Sequence, residues 1–484
     1  MSKALTATRR AGVLLHPTSL PGEGADGTLG PEAYHFVDFL AAGGFTVWQT
    51  LPLGPTHEDR SPYLSTSVNA GSIELISRQW LVNHGWLVDS APSERRAMLH
   101  ATWQQFQHRQ HEQQHTAFQK FCDAQAGWLN DYALYAVIRE KYQHKPWFEW
   151  TELLRNREPR ALKAFEERHV AEIRQVKFEQ FLFDMQWSAL RHYANQRGIK
   201  MFGDMPIFVA HDSVDVWAHR NYFKMDEQAE LSVVAGVPPD YFSATGQRWG
   251  NPLYDWNAMH NDDFAWWQKR LARQLAMFDI VRIDHFRGFE ACWEIPASEE
   301  YATAGHWVKA PGKELFSSLQ KKFADLPLVA EDLGLITEEV HQLRQQFDMP
   351  GMKILQFGFD GSPNNPYLVH QHELDSVVYT GTHDNDTTVG WYRSLGEGSR
   401  HYVDEYLKSD EPMPWALIRA AMRSVACLAI VPMQDLLELG TEARMNVPGL
   451  KEDNWHWRFD WQQVPDSLAG KMKNLIGLYG RHPE

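Results

Sequence analysis

Cysteine is scarce in this chain of 484 residues: Cys122, Cys292 and Cys427 are the whole complement. An odd number, far apart and without CxxC spacing, argues against a disulfide framework and a cysteine-built zinc site, and suits a reducing compartment. No stretch approaches the ~20 apolar residues of a membrane span. The apolar stretch around Val13 to Leu15 is too short for the core of a signal peptide. Neither GxGxxG nor GxxxxGK followed by Ser or Thr stands after any strand-like run, which removes the usual nucleotide-binding reason for an open doubly wound sheet. Basic residues are outnumbered, 47 Lys plus Arg against 62 Asp plus Glu, for a net charge of −15. Without a basic stripe, nucleic acid is a poor partner. A soluble, cytoplasmic protein is expected, with neither nucleic acid nor membrane as partner; oligomeric state is not legible.

Tryptophan, by contrast, is abundant: there are 20. Aromatic faces pack against the C–H faces of sugars, although tryptophan also fills cores. Short apolar runs ending in polar residues recur at 12–17, 46–53, 199–204, 280–285, 328–333, 352–357, 377–384 and 427–435. Their length and composition are those of fully buried parallel strands. Helical patterns lie between them: Pro31 opens one that Gly43–Gly44 stops, Phe178, Phe181, Leu182, Met185 and Ala189 carry another, and Val340, Leu343 and Phe347 a third. Eight runs alternating with helices predict a (β/α)8 TIM barrel. A barrel needs ~250 residues, so the single catalytic domain, 1–484, must carry insertions at its rim. One is expected at 55–175, largely helical, and one at 205–275, carrying the Pro/Gly-punctuated aromatic loop 235–252.

A barrel's active site lies at the C-terminal ends of its strands. There the runs place Asp204 (third), Arg282, Asp284 and His285 (fourth), Glu331 and Asp332 (fifth), and His383, Asp384 and Asp386 (seventh). Alternation along a strand puts Arg282 and Asp284 on one side, as an ion pair, and turns Glu331 and Asp332 apart. Acids on adjacent strands can approach the ~5 Å separation that retaining glycoside chemistry uses. Any one strand-end acid reads more simply as a helix cap; several together, with arginine and histidine partners, read as a site.

The ordered set HPTSLPG (16–22), WQTLPLGP (48–55), SPY (61–63), GDMPIFVAHDSVDVWA (203–218), GVPPDYFSATGQRWGNPLYDW (236–256), RIDHFRG (282–288), AEDLG (330–334), GTHDN (381–385) and ARMNVPG (443–449) resembles the amylomaltases. These are 4-α-glucanotransferases, or disproportionating enzymes, of the α-amylase superfamily, and the likeness covers nearly the whole chain. The resemblance implies a barrel with rim subdomains, α-1,4-glucans as substrates and no cofactor or metal. It implies Asp284 as nucleophile, Glu331 as general acid/base and Asp384 as transition-state stabiliser. Arg282, His285 and His383 would line the same sugar subsite with Asp204 nearby, and Tyr63, Tyr241, Phe242, Gln247, Trp249 and Asn446 would touch glucan. The chain departs from the family pattern in SPYLSTSVNAGS (many members read SPYQSFSAFAGN) and at Ala244, where many carry Glu. Both departures fall at the predicted rim, away from the bond chemistry.

Two other functions stand beside transfer: a mainly hydrolytic α-glucan hydrolase using the same residues, and an inactive glucan-binding barrel. HEQQH at 111–115 matches a zinc-peptidase spacing, but its surroundings are polar nearly all round and no third ligand stands out by spacing, so it reads as a solvated helix.

Overall fold

The computed structural model describes residues 7–22, 24–108, 112–239, 243–450 and 452–482. Twelve strands are present among them: β1 (Arg10–Leu14), β2 (Val47–Gln49), β3 (Lys200–Pro206), β4 (Val233–Val237), β5 (Gln247–Pro252), β6 (Ile280–Asp284), β7 (Ala291–Pro296), β8 (His306–Lys309), β9 (Leu328–Ala330), β10 (Gly351–Ile354), β11 (Ser376–Tyr379) and β12 (Leu428–Pro432). Eight of them pair in parallel in the order β10-β11-β12-β1-β2-β3-β6-β9. Each of the eight apolar runs supplies one of these strands, and with the helices between them they form the (β/α)8 barrel.

Closure between β9 and β10 explains one strand-end acid. Ala330 N–H donates to Pro350 O at 2.9 Å, and Met352 N–H donates to Asp332 Oδ1 at 2.7 Å. A Cβ on residue 351 would fall 2.4 Å from Asp332 Oδ2, so only glycine lets the carboxylate approach. Arg344, 3.2 Å away, neutralises it. Asp332 thus staples the barrel shut and faces away from the mouth.

Strand alternation divides the core. Phe202, Ile280, Val329, Met352, Ile354, Val377, Tyr379 and Ile430 form one buried cluster, while Val281, Ile283 and Ala330 belong to the larger cluster that includes the surrounding helices. Phe202 and Asp204, like Ile280, Arg282 and Asp284, are spaced two apart, so the polar residues share the side of the smaller cluster.

The helix Pro31–Ala42 has proline in its first turn and Gly43 as its C-cap. The 27-residue helix Val170–Gln196 buries Phe178, Phe181 and Leu182 and leads into β3. Between β2 and it lie the helices Arg95–His108, Glu112–Ala124, Ala126–Lys141 and Pro159–Arg168. His111 of the HEQQH stretch lies outside the described residues; the ring of His115 packs 4.3 Å from Phe106. Among the described residues no group of His, Cys, Asp and Glu could hold a metal ion, and no helix is long and apolar enough to cross a membrane.

The stretch read as a loop at 235–252 departs from expectation. It includes most of a hairpin, β4–β5, in a second, antiparallel sheet ordered β5-β4-β7-β8. Two of that sheet's strands come from beyond β6, so pairing distant in sequence overrides the local Pro/Gly signal.

Candidate active site

Several barrel strands deliver their polar ends to one place. Register aligns Asp204 of β3 with Arg282 of β6, and Pro206 with Asp284. One step along, Ile283 of β6 lies beside Ala330 of β9. The ladder continues past the strand, with Glu331 N–H donating to Ile283 O at 3.0 Å. Asp284 and Glu331 are therefore the next residues on neighbouring strands.

Arg282 is the shared cation. Its Nη1 donates to both oxygens of Asp204, at 2.8 and 2.6 Å, and its Nη2 stands 2.8 Å from Asp284 Oδ1. Asp204 Oδ2 also accepts from the Tyr63 hydroxyl at 2.7 Å. Burial alone would loosen the Arg282 proton, but Asp204, Asp284 and Glu331 hold it firmly in place. Burial pushes Asp204 up against the pull of Arg282, and raises the Tyr63 phenol well above its usual value, with Asp204 adding to the effect.

Glu331 is placed differently. Among the described residues no lysine or arginine forms an ion pair with it; its Oε2 accepts from His285 N–H at 2.7 Å and its Oε1 from Leu333 N–H at 2.9 Å. The side chain is buried, and burial, then the charge of Asp284, raises its pKa to about 7 despite Arg282 and the two N–H groups. A buried carboxyl beside an ionised one is the arrangement that keeps an acid protonated near neutrality.

His285 follows Asp284 with a left-handed φ of 52°. Non-glycine residues seldom adopt that conformation; here it turns the backbone N–H onto Glu331. Burial lowers the imidazole to about 4, and its Nε2 meets no hydrogen-bond partner among the described residues. The ring of Trp249 stands edge-on to it, 4.7 Å between centroids. Trp249 Nε1 donates to Gln247 Oε1 at 3.0 Å.

Across the mouth, Asp384 is 45% exposed and pairs with His383 Nε2 at 3.3 Å. Asn446 Nδ2 donates to Asp384 Oδ1 at 2.6 Å. The His383 ring stacks on Tyr63 at 5.1 Å and 13°, joining this side to Asp204. Asp386 turns away, accepting from Thr387 N–H and the Thr441 hydroxyl.

The structure thus links Tyr63, Asp204, Arg282, Asp284, His285, Glu331, His383, Asp384 and Asn446 into one network, with Gln247 and Trp249 at its edge. Tyr241 and Phe242 lie outside the described residues. Three further members went unread in the sequence. His16 lies two residues past β1, bonds Thr50 through Nδ1 at 3.1 Å and is lowered to about 3 by burial, with His383 and Arg60 adding to the effect; its signal is its place at the polar end of the first apolar run. Trp455 reaches Tyr63 and His383 from beyond the eighth strand, at 5.9 and 6.0 Å. Phe208 packs 6.1 Å from His285. For these two no strand-end signal existed.

The chain is similar to known proteins along nearly its whole length. The 4-alpha-glucanotransferase family model matches residues 15–463. The chain is 47% identical to the 4-alpha-glucanotransferase of Synechocystis sp., with 98% of each chain covered. It is also 47% identical to that of Thermus thermophilus, covering 93% of this chain and 94% of the relative. Among solved structures, an amylomaltase from Streptococcus agalactiae in complex with acarbose superposes with a TM-score of 0.94 at 36% identity, covering 98% of this chain and all of that one.

Proposed function

Because the chain belongs to the 4-alpha-glucanotransferase family, we propose that Asp284, Glu331 and Asp384 are the groups with which it moves α-1,4-glucan segments between maltodextrins. The enzyme is a 4-α-glucanotransferase working by retaining double displacement. Asp284 attacks the anomeric carbon while Glu331 delivers its proton to the departing glycosidic oxygen; the C–O bond breaks and a glycosyl ester forms on Asp284. Esterification removes the negative charge that helps to hold Glu331 protonated. Its pKa then falls, and it takes the proton from the 4-hydroxyl of the acceptor glucan as that oxygen displaces Asp284.

Asp384, exposed at the mouth and oriented by His383 and Asn446, binds hydroxyls of the distorted sugar. Contacts that tighten in the transition state supply several kcal/mol in such enzymes. Arg282 and Asp204 hold Asp284 in its attacking position, and neutral His285 offers Nε2 to a sugar hydroxyl. Tyr241 and Phe242, with Gln247 and Trp249, shape the acceptor side. Insertions at 55–175 and 205–275 form the rim of a single catalytic domain. The three cysteines among the described residues are all free thiols, which supports a reducing, cytoplasmic setting.

The observation that carries the assignment is the asymmetry between neighbours: Asp284 shares the guanidinium, Glu331 has none and is buried. Incubation with maltotriose tests it. Longer and shorter maltooligosaccharides should appear while the number of reducing ends stays nearly constant, with only a small hydrolytic gain. Reducing ends that rise with donor consumption would make the enzyme a hydrolase, and an unchanged sugar profile would make it a binder.

A further inference from the structure

The smaller sheet has a hydrophobic cluster of its own: Val234 of β4, Ile295 of β7 and Ala302 are buried together, apart from the two barrel clusters. Ala302 lies in the segment 297–305 that joins β7 to β8. Trp293 Nε1 donates to Ala302 O at 2.9 Å and holds the segment down.

Gly246, immediately before β5, rests on this segment. Gly246 has a φ of +69°, and a Cβ there would stand 2.8 Å from Ala302 Cβ and 2.4 Å from Val237 O. Only glycine at 246 therefore lets the chain lie this close to the buried Ala302 methyl. A second tie runs from Arg248 Nη2 to Ala297 O at 3.1 Å. Next on the same strand is Trp249, whose ring meets His285, the residue after the nucleophile. Gly246 and Trp249 are three residues apart, about 10 Å along an extended strand. β5 therefore joins the 297–305 segment to His285 over a short distance.

We propose that segment 297–305, through Ala302, is a specificity-determining buttress that sets how closely the β4–β5 hairpin covers the mouth, and so how the glycosyl-enzyme partitions between a glucan hydroxyl and water. The inference rests on the transferase reading above. With either acceptor the attacking oxygen bonds the anomeric carbon, the ester bond to Asp284 breaks and the proton passes to Glu331. Only the cover over the acceptor differs, and transfer prevails where the glucan is held and water is kept out. Because the buttress packs in its own cluster, altering it leaves the barrel's cores intact.

Ala302→Leu tests this, with maltotriose as donor and acceptor. Reducing ends gained per donor consumed should rise about fivefold, while total donor consumption stays within about twofold. Arg248→Ala, which severs only the second tie, should shift the ratio in the same direction by about twofold; if Ala302→Leu does not fold, this variant decides. An unchanged ratio in folded protein overturns the buttress. So does a parallel loss of hydrolysis and transfer, which would make the segment merely structural. Wild-type enzyme that yields no disproportionation products would instead overturn the transferase reading itself.

Discussion

Two knots in this molecule, one buried and one half-buried, are built from the same four residue types. At the mouth, Asp204 meets Tyr63 and Arg282, and Tyr63 stacks on His383. Elsewhere, Asp212 accepts from Tyr135 at 2.8 Å and Trp147 N–H at 3.2 Å, pairs with Arg139 at 3.2 Å and stands 3.8 Å from His57. Their chemistry diverges for one reason. In the second knot one carboxylate meets one guanidinium and every oxygen has a donor, so the charge is balanced. At the mouth a single guanidinium serves Asp204 and Asp284, with Glu331 close by and without a cation of its own. Three acids around one cation cannot all ionise cheaply, and the least served of them stays protonated. Residue type does not make a site; an unbalanced charge opening onto a cleft does.

The comparison breaks first under substitution of the two acids. Asp284→Asn and Glu331→Gln should each lower transfer by about 10⁴-fold with the fold retained; a fall below tenfold, read by chromatography of maltotriose products, would refute the roles. In the other knot Asp212→Ala should leave catalysis near wild type at 25 °C but cost about 2 kcal/mol of stability, seen in urea melts, because Arg139 loses its partner. A comparable loss of activity there would erase the contrast.

Tyr63→Phe lies between these extremes. It removes the hydroxyl from Asp204 without removing charge, and kcat/KM should fall about tenfold.

The subtlest consequence is in stability against pH. The Glu331 carboxyl is raised to about 7 in the folded enzyme from 4.5, so the native state binds more protons than the unfolded chain between those values. Stability contributed by this group is full below the unfolded value and lost as pH rises through about 7. Glu331→Gln carries no such penalty. It should melt above wild type at pH 8, and the advantage should vanish by pH 4 to 5. A mutant equally displaced at both pH values would mean that Glu331 is not a buried, raised acid. The same ionisation should place the alkaline limb of wild-type kcat/KM near pH 7.

Much of the barrel was readable because its strands announce themselves: each apolar run is buried on both faces and stops at a polar residue. Alternation correctly separated Glu331 from Asp332. Its limit shows at Asp204, expected only near the subsite; in the folded chain it shares Arg282 with Asp284, because register between β3 and β6 aligns Asp204 with Arg282. The second sheet was illegible because β4 and β5 each carry a glycine in a Pro/Gly-punctuated stretch, and β4 pairs with β7 from beyond β6. Trp455 arrives from a different part of the chain altogether. Long-range pairing leaves little local trace in composition.

The claim that matters most is that Asp284 takes the glycosyl group and Glu331 governs its release. An α-maltosyl fluoride donor needs no acid to depart, whereas breakdown of the ester needs the base. Glu331→Gln treated with it should therefore accumulate a glycosyl-enzyme, and peptide mass spectrometry should find the added sugar mass on the fragment carrying Asp284. Sugar on a fragment carrying Asp384 or Asp204 instead, or fluoride turnover with no adduct, would contradict the account.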